Sequence, residues 1–256
     1  ELLQDGVTLA CDEPIQQATS LAVVNLDETG HPDYAFYREG VADRQITAIG
    51  LQKACDSLSD LKMVCTGALA LDARDQHHYL PWLTSQKAAG RWVVVDANLR
   101  PSVMPDIASY REAIHHTLAL ADVIKVSDED LVHLGLNGTT ALASAQQLLK
   151  KTSAKLLALT LGEQGAWLLS ANGEQRFGRE SAKLSVVDTV GAGDSFLAGM
   201  LAALVKNNFV FDTQVDLDSM LSHAIASASW CVQQKGCIPP SWQDAQDWSL
   251  AHPLAD

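Results

Sequence analysis

Short apolar runs alternate with helical patterns along most of this chain, and that alternation most limits the folds open to it. Several runs are apolar at consecutive positions, as in strands that are buried on both faces of a parallel sheet. The strand-like runs are Ser20–Leu26, Lys62–Thr66, Trp92–Asp96, Val123–Val126, Leu156–Leu161 and Ala166–Leu169. The helical patterns are Asp43–Cys55, Gln76–Ala89, Ile107–Leu120, Asp128–Leu134, Thr140–Lys151, Asp194–Val205 and Leu217–Lys235. This order predicts an α/β fold with a doubly wound, mostly parallel sheet flanked by helices.

The first 40 residues have a different pattern. Two strand-like runs, Thr19–Leu26 and Tyr34–Arg38, are separated by the sequence DETGHPD, which has the composition of a turn. We therefore expect a β-hairpin that forms a small sheet beside the main domain. Its apolar side chains, such as Leu21, Val23 and Phe36, are expected on one face.

Charge and composition exclude several classes of function. The 256 residues include 18 Lys and Arg against 31 Asp and Glu, a net charge of −13, which argues against nonspecific nucleic-acid binding. No apolar run approaches the roughly 20 residues that span a bilayer, so we expect no membrane partner. The five cysteines are Cys11, Cys55, Cys65, Cys231 and Cys237. Their odd number and the lack of a C-x-x-C motif favour a reducing, cytoplasmic location and make a zinc site improbable.

A glycine-rich turn followed by an aspartate is the most informative local motif. Gly191-Ala192-Gly193-Asp194 places successive N–H groups at a helix start, where the helix dipole also favours an anion. Asp194 could accept the N–H groups of the first turn as a cap, or face a substrate hydroxyl as a general base. The chain has no Walker A sequence, and a G-x-G-x-x-G fingerprint would need glycine at position 196, which is Phe.

The longer string Asp188–Phe196, DTVGAGDSF, resembles the second signature of the ribokinase-like (PfkB) carbohydrate kinases. Further segments agree in the family's order. Gly67–Leu71 resembles the glycine turn after a core strand, and Asp96–Pro101 resembles the D-x-N-x-R-P segment of the fructokinase and 2-keto-3-deoxygluconate kinase branch. Lys125–Asp130 is similar to K-x-N-x-x-E with two changes, and Thr160–Ala166 resembles a T-x-G-x-x-G strand turn.

The resemblance covers essentially the whole chain and implies a ribokinase-like fold with a β lid. It also implies ATP-dependent phosphorylation of a primary sugar hydroxyl, with fructose as the expected acceptor and 2-keto-3-deoxygluconate as the alternative. In this family the carboxylate of Asp194 is the base, and the backbone of Gly191, Ala192 and Gly193 forms the anion hole.

Three residues are candidates for the sugar site. Phe36-Tyr37-Arg38 lies where this branch has an aromatic-Arg sugar contact, although Arg38 could equally be a charge that protects a strand edge. Asn98 and Arg100 follow a buried strand at its carboxyl end, where ligands bind in such sheets. The alternative for Arg100 is a surface salt bridge.

The resemblance also implies nucleotide and cation contacts. Ser127, Thr160, Gly162 and Gly165 are expected to contact ATP, although residues 160–165 could be a plain β-turn. Asp130 would hold water around Mg²⁺, but Ser127-x-x-Asp130 is equally a capping box. Asp188 either caps its own loop or helps to hold a monovalent cation such as K⁺.

The start of the chain differs from the family pattern. Residues 1–7 resemble the end of a helix, a glycine cap and a strand start, without the family's first strand and Gly-Gly signature. We therefore expect residues 1–43 to comprise the end of a truncated N-terminal unit plus lid strands, and residues 44–256 the kinase core. We expect such a chain to be poorly stable, to bind ATP–Mg²⁺ weakly and to phosphorylate fructose slowly or not at all.

Two functions of other classes remain as alternatives. A non-catalytic nucleotide-binding fragment is favoured by the missing signature, whereas the presence of Asp194 opposes it. A dinucleotide-dependent oxidoreductase is opposed by Phe196. A lid with one apolar face must cover a site or pair with another lid, so we expect a homodimer.

Overall fold

Two β-sheets organise the chain. The computed structural model describes residues 2–10, 14–26 and 32–255. In it, β1 (Leu21–Leu26) and β2 (Pro32–Tyr37) pair as an antiparallel hairpin. The larger sheet contains β3 (Met63–Gly67), β4 (Trp92–Asp96), β5 (Val123–Ser127), β6 (Leu156–Thr160), β7 (Ala166–Ser170) and β8 (Gln175–Gly178), in that order. The strands β3 to β6 run parallel to one another, and the β6–β7 and β7–β8 pairs are antiparallel, which confirms the mostly parallel sheet.

Helices cover both faces of the larger sheet. They are α1 (Ala48–Asp56), α2 (Gln76–Ala88), α3 (Ile107–Leu120), α4 (Asp128–His133), α5 (Ala141–Lys151), α6 (Ala192–Lys206), α7 (Gln214–Cys231) and α8 (Trp242–Ala251). Helices α2 to α5 connect successive parallel strands and pack on one face, as crossovers of one hand require. Helices α6 and α7 pack on the other face. In the part of the chain that the structure describes, no helix is both long and apolar enough to cross a membrane.

The central strands are apolar throughout because each contributes to two cores. In β4, Val93 and Val95 face the α2–α5 side, whereas Val94 faces α6 and α7, and all three are fully buried. In β6, Leu157 faces the first side and Leu156 the second. Because successive side chains of a strand point to opposite faces of the sheet, one apolar run contributes to both cores.

Close packing fixes α6 against α7. A Cβ atom at Gly199 of α6 would overlap the Ser227 side chain and lie 2.9 Å from the His223 carbonyl oxygen. Only glycine lets the two helix backbones approach this closely. The position of α6, and hence of its N-terminus, is set by this contact with α7.

The end of the chain differs from the sequence-based expectation. Strand β8 and helix α8 were not predicted, although Ser241 and Asp244 form a capping box at the start of α8 that signals a helix. Helix α7 ends at Cys231 rather than Lys235. Gly236, which follows the predicted end of that helix, lies in the loop after it with φ +82°.

The hairpin corrects one prediction about its faces. Leu21 pairs with Tyr37, whereas Phe36 pairs with Ala22. Because paired residues point to the same side of a sheet, Phe36 lies on the face opposite Leu21, and grouping the two was wrong. The face that carries Leu21, Val23 and Tyr37 is exposed. Most of the expected turn, residues 27–31, lies outside the described residues.

Candidate active site

The predicted site residues of the core lie at one edge of the sheet. Gly67, Asp96, Ser127 and Thr160 end the four parallel strands β3 to β6. Since the carboxyl ends of parallel strands share an edge, the segments that follow them converge there. A Cβ atom at Gly67 would overlap the Asp96 carbonyl oxygen, so glycine is required where β3 turns away beside β4.

Helix α6 begins at this edge with unpaired N–H groups. Side chains cap α1, α3, α4, α5, α7 and α8, but the N-cap of α6 is Gly191, with φ +82° and no side-chain cap. The Ser195 N–H donates to the Gly191 carbonyl oxygen at 2.8 Å. The N–H groups of Gly193 and Asp194 have no acceptor within the described part of the chain. Free N–H groups at a helix start provide an anion-binding position.

Asp194 carries an exposed carboxylate in the first turn of α6. It accepts no hydrogen bond from any residue that the structure describes, so the capping alternative is not observed. Its charge helps to raise the pKa of the Asp96 carboxyl and of the Cys65 thiol, which places it near both groups. An unbonded carboxylate beside free N–H groups can accept a proton from a substrate bound there.

A buried ion pair lies next to the glycine turn. Lys125 Nζ donates to both carboxylate oxygens of Asp96 at 3.0 Å, and the two residues are only 5% and 7% exposed. A Cβ atom at Gly193 would lie 3.2 Å from Lys125 Nζ. The third N–H of this ammonium has no acceptor among the described residues. Lys125 thus brings a positive charge next to the α6 N-terminus.

No role for Lys125 follows from the sequence pattern, in which it is one residue of the motif Lys125–Asp130. The signal that could have found it is a lysine at the centre of the apolar strand β5. A lysine is almost never fully buried without a partner, so such a position calls for a nearby carboxylate. Asp96, also quoted without a role, is that carboxylate.

Two further carboxylates, those of Asp130 and Asp194, lie near enough to the Asp96–Lys125 pair to affect the pKa of Asp96. Burial raises the pKa of Asp96, the Lys125 charge and hydrogen bonds lower it, and the nearby Asp130 and Asp194 raise it again. The net charge of Lys125, Asp96, Asp130 and Asp194 together is therefore negative. A bound divalent cation would reduce the repulsion among them.

Asp130 forms the capping box that its spacing allows. Its Oδ1 accepts the Leu99 N–H at 2.7 Å and its Oδ2 accepts the Ser127 N–H at 2.8 Å, while Ser127 Oγ accepts the Asp130 N–H. The residue is 4% exposed. Asp130 therefore caps α4 and also holds the loop after β4. Its Mg²⁺ role stays a prediction.

The loop after β4 presents Asn98 and Arg100. Asn98 has φ +36°, an uncommon value for a residue other than glycine. The Arg100 guanidinium donates to the Leu99 carbonyl oxygen at 2.9 Å and to that of Asn98 at 3.3 Å. Within the described residues Arg100 makes no ion pair, so the surface salt bridge is not observed. Both side chains lie near the strand ends, half-buried.

The predicted nucleotide residues follow β5 and β6. Ser127 pairs with Thr160 across the two strands, and Thr160 Oγ1 donates to the Val126 carbonyl oxygen at 3.5 Å. Gly162 has φ +57° and open space around it. Gly165 has φ +109°, and a Cβ atom there would lie 2.5 Å from the Gly178 carbonyl oxygen. Gly165 is thus required by the turn into β7, whereas Gly162 remains accessible to a ligand.

Arg38 lies in an ion-pair cluster between the hairpin and the segment after β3. It is 6% exposed and donates to Asp72 Oδ2 at 3.2 Å and to the Leu69 carbonyl oxygen at 3.0 Å. Asp43 lies 3.7 Å from its guanidinium. The idea that Arg38 protects a strand edge was wrong, because the residue follows β2 and is buried. Its Nε atom has no acceptor within the described chain.

Asp188 stabilises the loop that leads into α6. Its Oδ1 accepts the Val190 N–H at 2.9 Å, and its Oδ2 accepts the Gly236 N–H at 3.1 Å. The loop-capping alternative is therefore observed, and the monovalent cation stays a prediction. These two bonds connect the glycine turn to the loop after α7.

Comparisons with known proteins bear on the family of this chain. A sequence model described as the pfkB family of carbohydrate kinases matches residues 1–244. A fructokinase of Rhizobium leguminosarum bv. trifolii is 34% identical over 236 residues, which cover 91% of this chain and 70% of that protein. A probable fructokinase-5 of Arabidopsis thaliana is 31% identical over 231 residues, covering 89% of this chain and 70% of that protein.

Solved structures share the fold. A crystal structure of fructokinase with bound ATP from Xylella fastidiosa superposes with a TM-score of 0.82 at 25% identity, covering 98% of this chain and 79% of that one. Aminoimidazole riboside kinase from Salmonella enterica superposes with a TM-score of 0.78 at 22% identity, covering 96% of this chain and 78% of that one. The second likeness shows the fold alone.

We predict that Lys125→Met destabilises the protein strongly. Removing the ammonium leaves the Asp96 carboxylate buried without a partner, which costs about 3–5 kcal/mol of unfolding free energy. The double variant Asp96→Asn/Lys125→Met should recover part of that loss. Urea denaturation of the native protein, Lys125→Met, the double variant and the control Lys155→Met would measure the difference. Lys155→Met is the control, because its 3.8 Å pair with Asp122 is half-exposed and worth at most about 1 kcal/mol. A Lys125→Met protein as stable as this control would contradict the role of the ion pair.

Proposed function

The chain belongs to the pfkB family of carbohydrate kinases and is a sugar kinase, and we propose that it transfers the γ-phosphate of ATP to a primary hydroxyl of fructose. The observation that carries this proposal is the exposed, unbonded carboxylate of Asp194 beside the free N–H groups of Gly193 and Asp194. Fructose is favoured as the acceptor because relatives that are 34% and 31% identical are named fructokinases.

The proposed reaction is a direct phosphoryl transfer. Asp194 takes the proton of the hydroxyl as its oxygen forms a bond to the γ-phosphorus and the bond from that phosphorus to the bridging oxygen breaks, releasing ADP. The N–H groups of Gly193 and Asp194 stabilise the charge on the transferring group, and the free N–H of Lys125 lies beside them. The Ala192 N–H donates to the Thr189 carbonyl oxygen at 3.3 Å, which corrects the prediction that Ala192 provides a donor to the anion hole. Gly191 and Ala192 instead shape the turn that presents the donors of Gly193 and Asp194.

The remaining predicted residues divide between the two substrates. We propose that Asn98 and Arg100, after β4, contact the sugar, and that Arg38 contributes from the hairpin side. The nucleotide contacts are assigned to residues after β5 and β6, namely Ser127, Thr160, Gly162 and Gly165. Gly162 fits this role because nothing lies within 4 Å of the position of its missing Cβ atom.

Mg²⁺ is the divalent cation that we propose to accompany ATP. The described residues contain no group of three side chains that could hold a metal ion by themselves. Mg²⁺ suits such a site because it keeps several waters and binds mainly to phosphate oxygens. The acidic residues around Lys125 favour a divalent cation there, and Asp130 is the residue proposed to hold its water. We propose a K⁺ site near Asp188 on the same basis of charge.

Two further proposals concern organisation and location. Residues 1–43 form the N-terminal segment with the lid strands and residues 44–256 the kinase core, since the hairpin meets the core through the cluster around Arg38. A cytoplasmic location fits the free thiols of Cys55, Cys65, Cys231 and Cys237. Neither proposal needs a nucleic-acid or membrane partner.

A substrate panel tests the proposed acceptor. ADP release is measured with ATP–Mg²⁺ and fructose, 2-keto-3-deoxygluconate, ribose or glucose, and kcat/KM should be highest for fructose. A higher kcat/KM for 2-keto-3-deoxygluconate would instead establish the alternative acceptor. ATP binding without turnover of any sugar would show a non-catalytic nucleotide-binding protein.

Replacement of the proposed base tests the mechanism. Asp194→Asn keeps the size of the side chain but removes the proton acceptor, so kcat should fall by about 10²–10⁴-fold with ATP affinity nearly unchanged. Asp216→Asn is the matched control, because Asp216 occupies the same helical position in α7, where it completes a capping box. The control should lose stability and keep its kcat. An Asp194→Asn enzyme as active as this control would rule out Asp194 as the base.

We also propose a homodimer that forms through the lid. Leu21, Val23 and Tyr37 share one face of the hairpin and are 56%, 45% and 62% exposed, and a second lid would cover them. Light scattering should give twice the mass of one chain for the native protein and a single-chain mass for Val23→Asp. Leu250→Asp, at an exposed position of α8, should remain dimeric. A monomeric native protein at micromolar concentration would contradict the dimer.

A further inference from the structure

Two cysteines lie next to the glycine turn. Cys231 is the last residue of α7 and is buried, whereas Cys237 lies in the following loop and is exposed. Cys231 lies close enough to Cys237 to raise the pKa of the Cys237 thiol. The Cys231 thiol also donates to the Val190 carbonyl oxygen, with 3.7 Å between sulfur and oxygen. The pair therefore touches the residue that precedes Gly191.

Cys237 also packs against the turn itself. A Cβ atom at Gly191 would overlap the Cys237 sulfur and lie 2.8 Å from the Cys237 Cβ atom. Asp188 accepts the Gly236 N–H and thereby ties the two loops together just beside this contact. Because no free space separates the sulfur from Gly191, a movement of Cys237 must be accommodated by the turn.

We propose that Cys231 and Cys237 form a reversible disulfide that displaces the phosphate-binding turn. Cys231 contacts Val190 and Cys237 packs against Gly191, the next residue, so the two sulfurs lie close together, and a covalent bond would bring them to about 2.05 Å. Cys231 is held within α7, so Cys237 and the Gly191 turn must make most of this movement. The formation of the disulfide needs no assumption about the reaction, whereas its effect on nucleotide binding rests on the proposed function.

A low-molecular-weight disulfide, such as oxidised glutathione, is the oxidant. The exposed Cys237 thiolate attacks one sulfur of the oxidant, forming a mixed disulfide and releasing one thiol. The Cys231 thiolate then attacks the Cys237 sulfur and displaces the second thiol. Two protein thiols are oxidised, one oxidant disulfide is reduced, and the two protons leave on the two released thiols.

The surroundings of Cys237 slow this reaction at neutral pH. Burial raises the pKa of its thiol, and so do the neighbouring Cys231, Asp194 and Asp188. Little thiolate is therefore present at neutral pH, which slows the first attack. Disulfides of this kind inside cells are transient and act as sensors rather than as structural bonds.

Peptide mapping tests the disulfide directly. Lys235 lies between the two cysteines, and no other Lys or Arg occurs from position 207 to the end of the sequence. Trypsin therefore separates residues 207–235 from residues 236–256 unless the disulfide joins them. Mass spectrometry of protein incubated with oxidised glutathione should find these peptides linked, in Cys55→Ser protein as well. Absence of the linked peptide in native protein would overturn the proposal.

Nucleotide binding tests the effect on the turn. Calorimetric titration of oxidised protein with ATP should show a loss of affinity of roughly tenfold, a usual size for coupling between two sites, and dithiothreitol should restore it. Cys231→Ser and Cys237→Ser proteins should show the same affinity before and after oxidant treatment. Protein that forms the disulfide and keeps the same affinity for ATP would overturn the proposal that the disulfide displaces the turn. Reduced protein that binds no ATP would refute the proposed function. The peptide map would still test, independently, whether the disulfide forms.

Discussion

The ion pair between Asp96 and Lys125 is the contact on which the geometry of the site depends. The two residues are direct partners in the ladder between β4 and β5, so their side chains emerge on the same face of the sheet. Val94 and Val123, two positions earlier, pack in the core beneath α6. Strand alternation therefore points Lys125 at the N-terminus of α6. Burial makes each charge dependent on the other, and the pair holds a cation in place before any phosphate arrives.

The two glycines of the turn are required for different reasons. Gly191 has a left-handed backbone and no room for a side chain, because Cys237 of the loop after α7 occupies that space. Gly193 lies over Lys125, where a side chain would come between the ammonium and the free N–H groups. One motif therefore contacts two distant parts of the chain, the centre of β5 and the loop after α7. The site is shaped by both, although neither is adjacent to it in sequence.

Features that depend on neighbouring residues could be predicted from the sequence. The strands β3 to β7, the glycine turn before α6 and the capping box between Ser127 and Asp130 all follow from patterns a few residues long. The family resemblance indicated that Asp194 and the residues at the strand ends belong to one site. The short pattern Gly-Ala-Gly-Asp could not decide between a cap and a base for Asp194, because both assignments require the same residue at the same helical position, and only the resemblance implied the base.

What the sequence by itself determined was thus the order of the elements, the local caps and the family. The tertiary structure alone decided which side chains meet. Lys125 bonds Asp96 from 29 positions away, and Arg38 is buried against Asp72 from 34 positions away. The contact of Cys237 with Gly191 is of the same kind. These contacts depend on strand register and on the packing of separate elements, and a pattern of neighbouring residues carries no information about either.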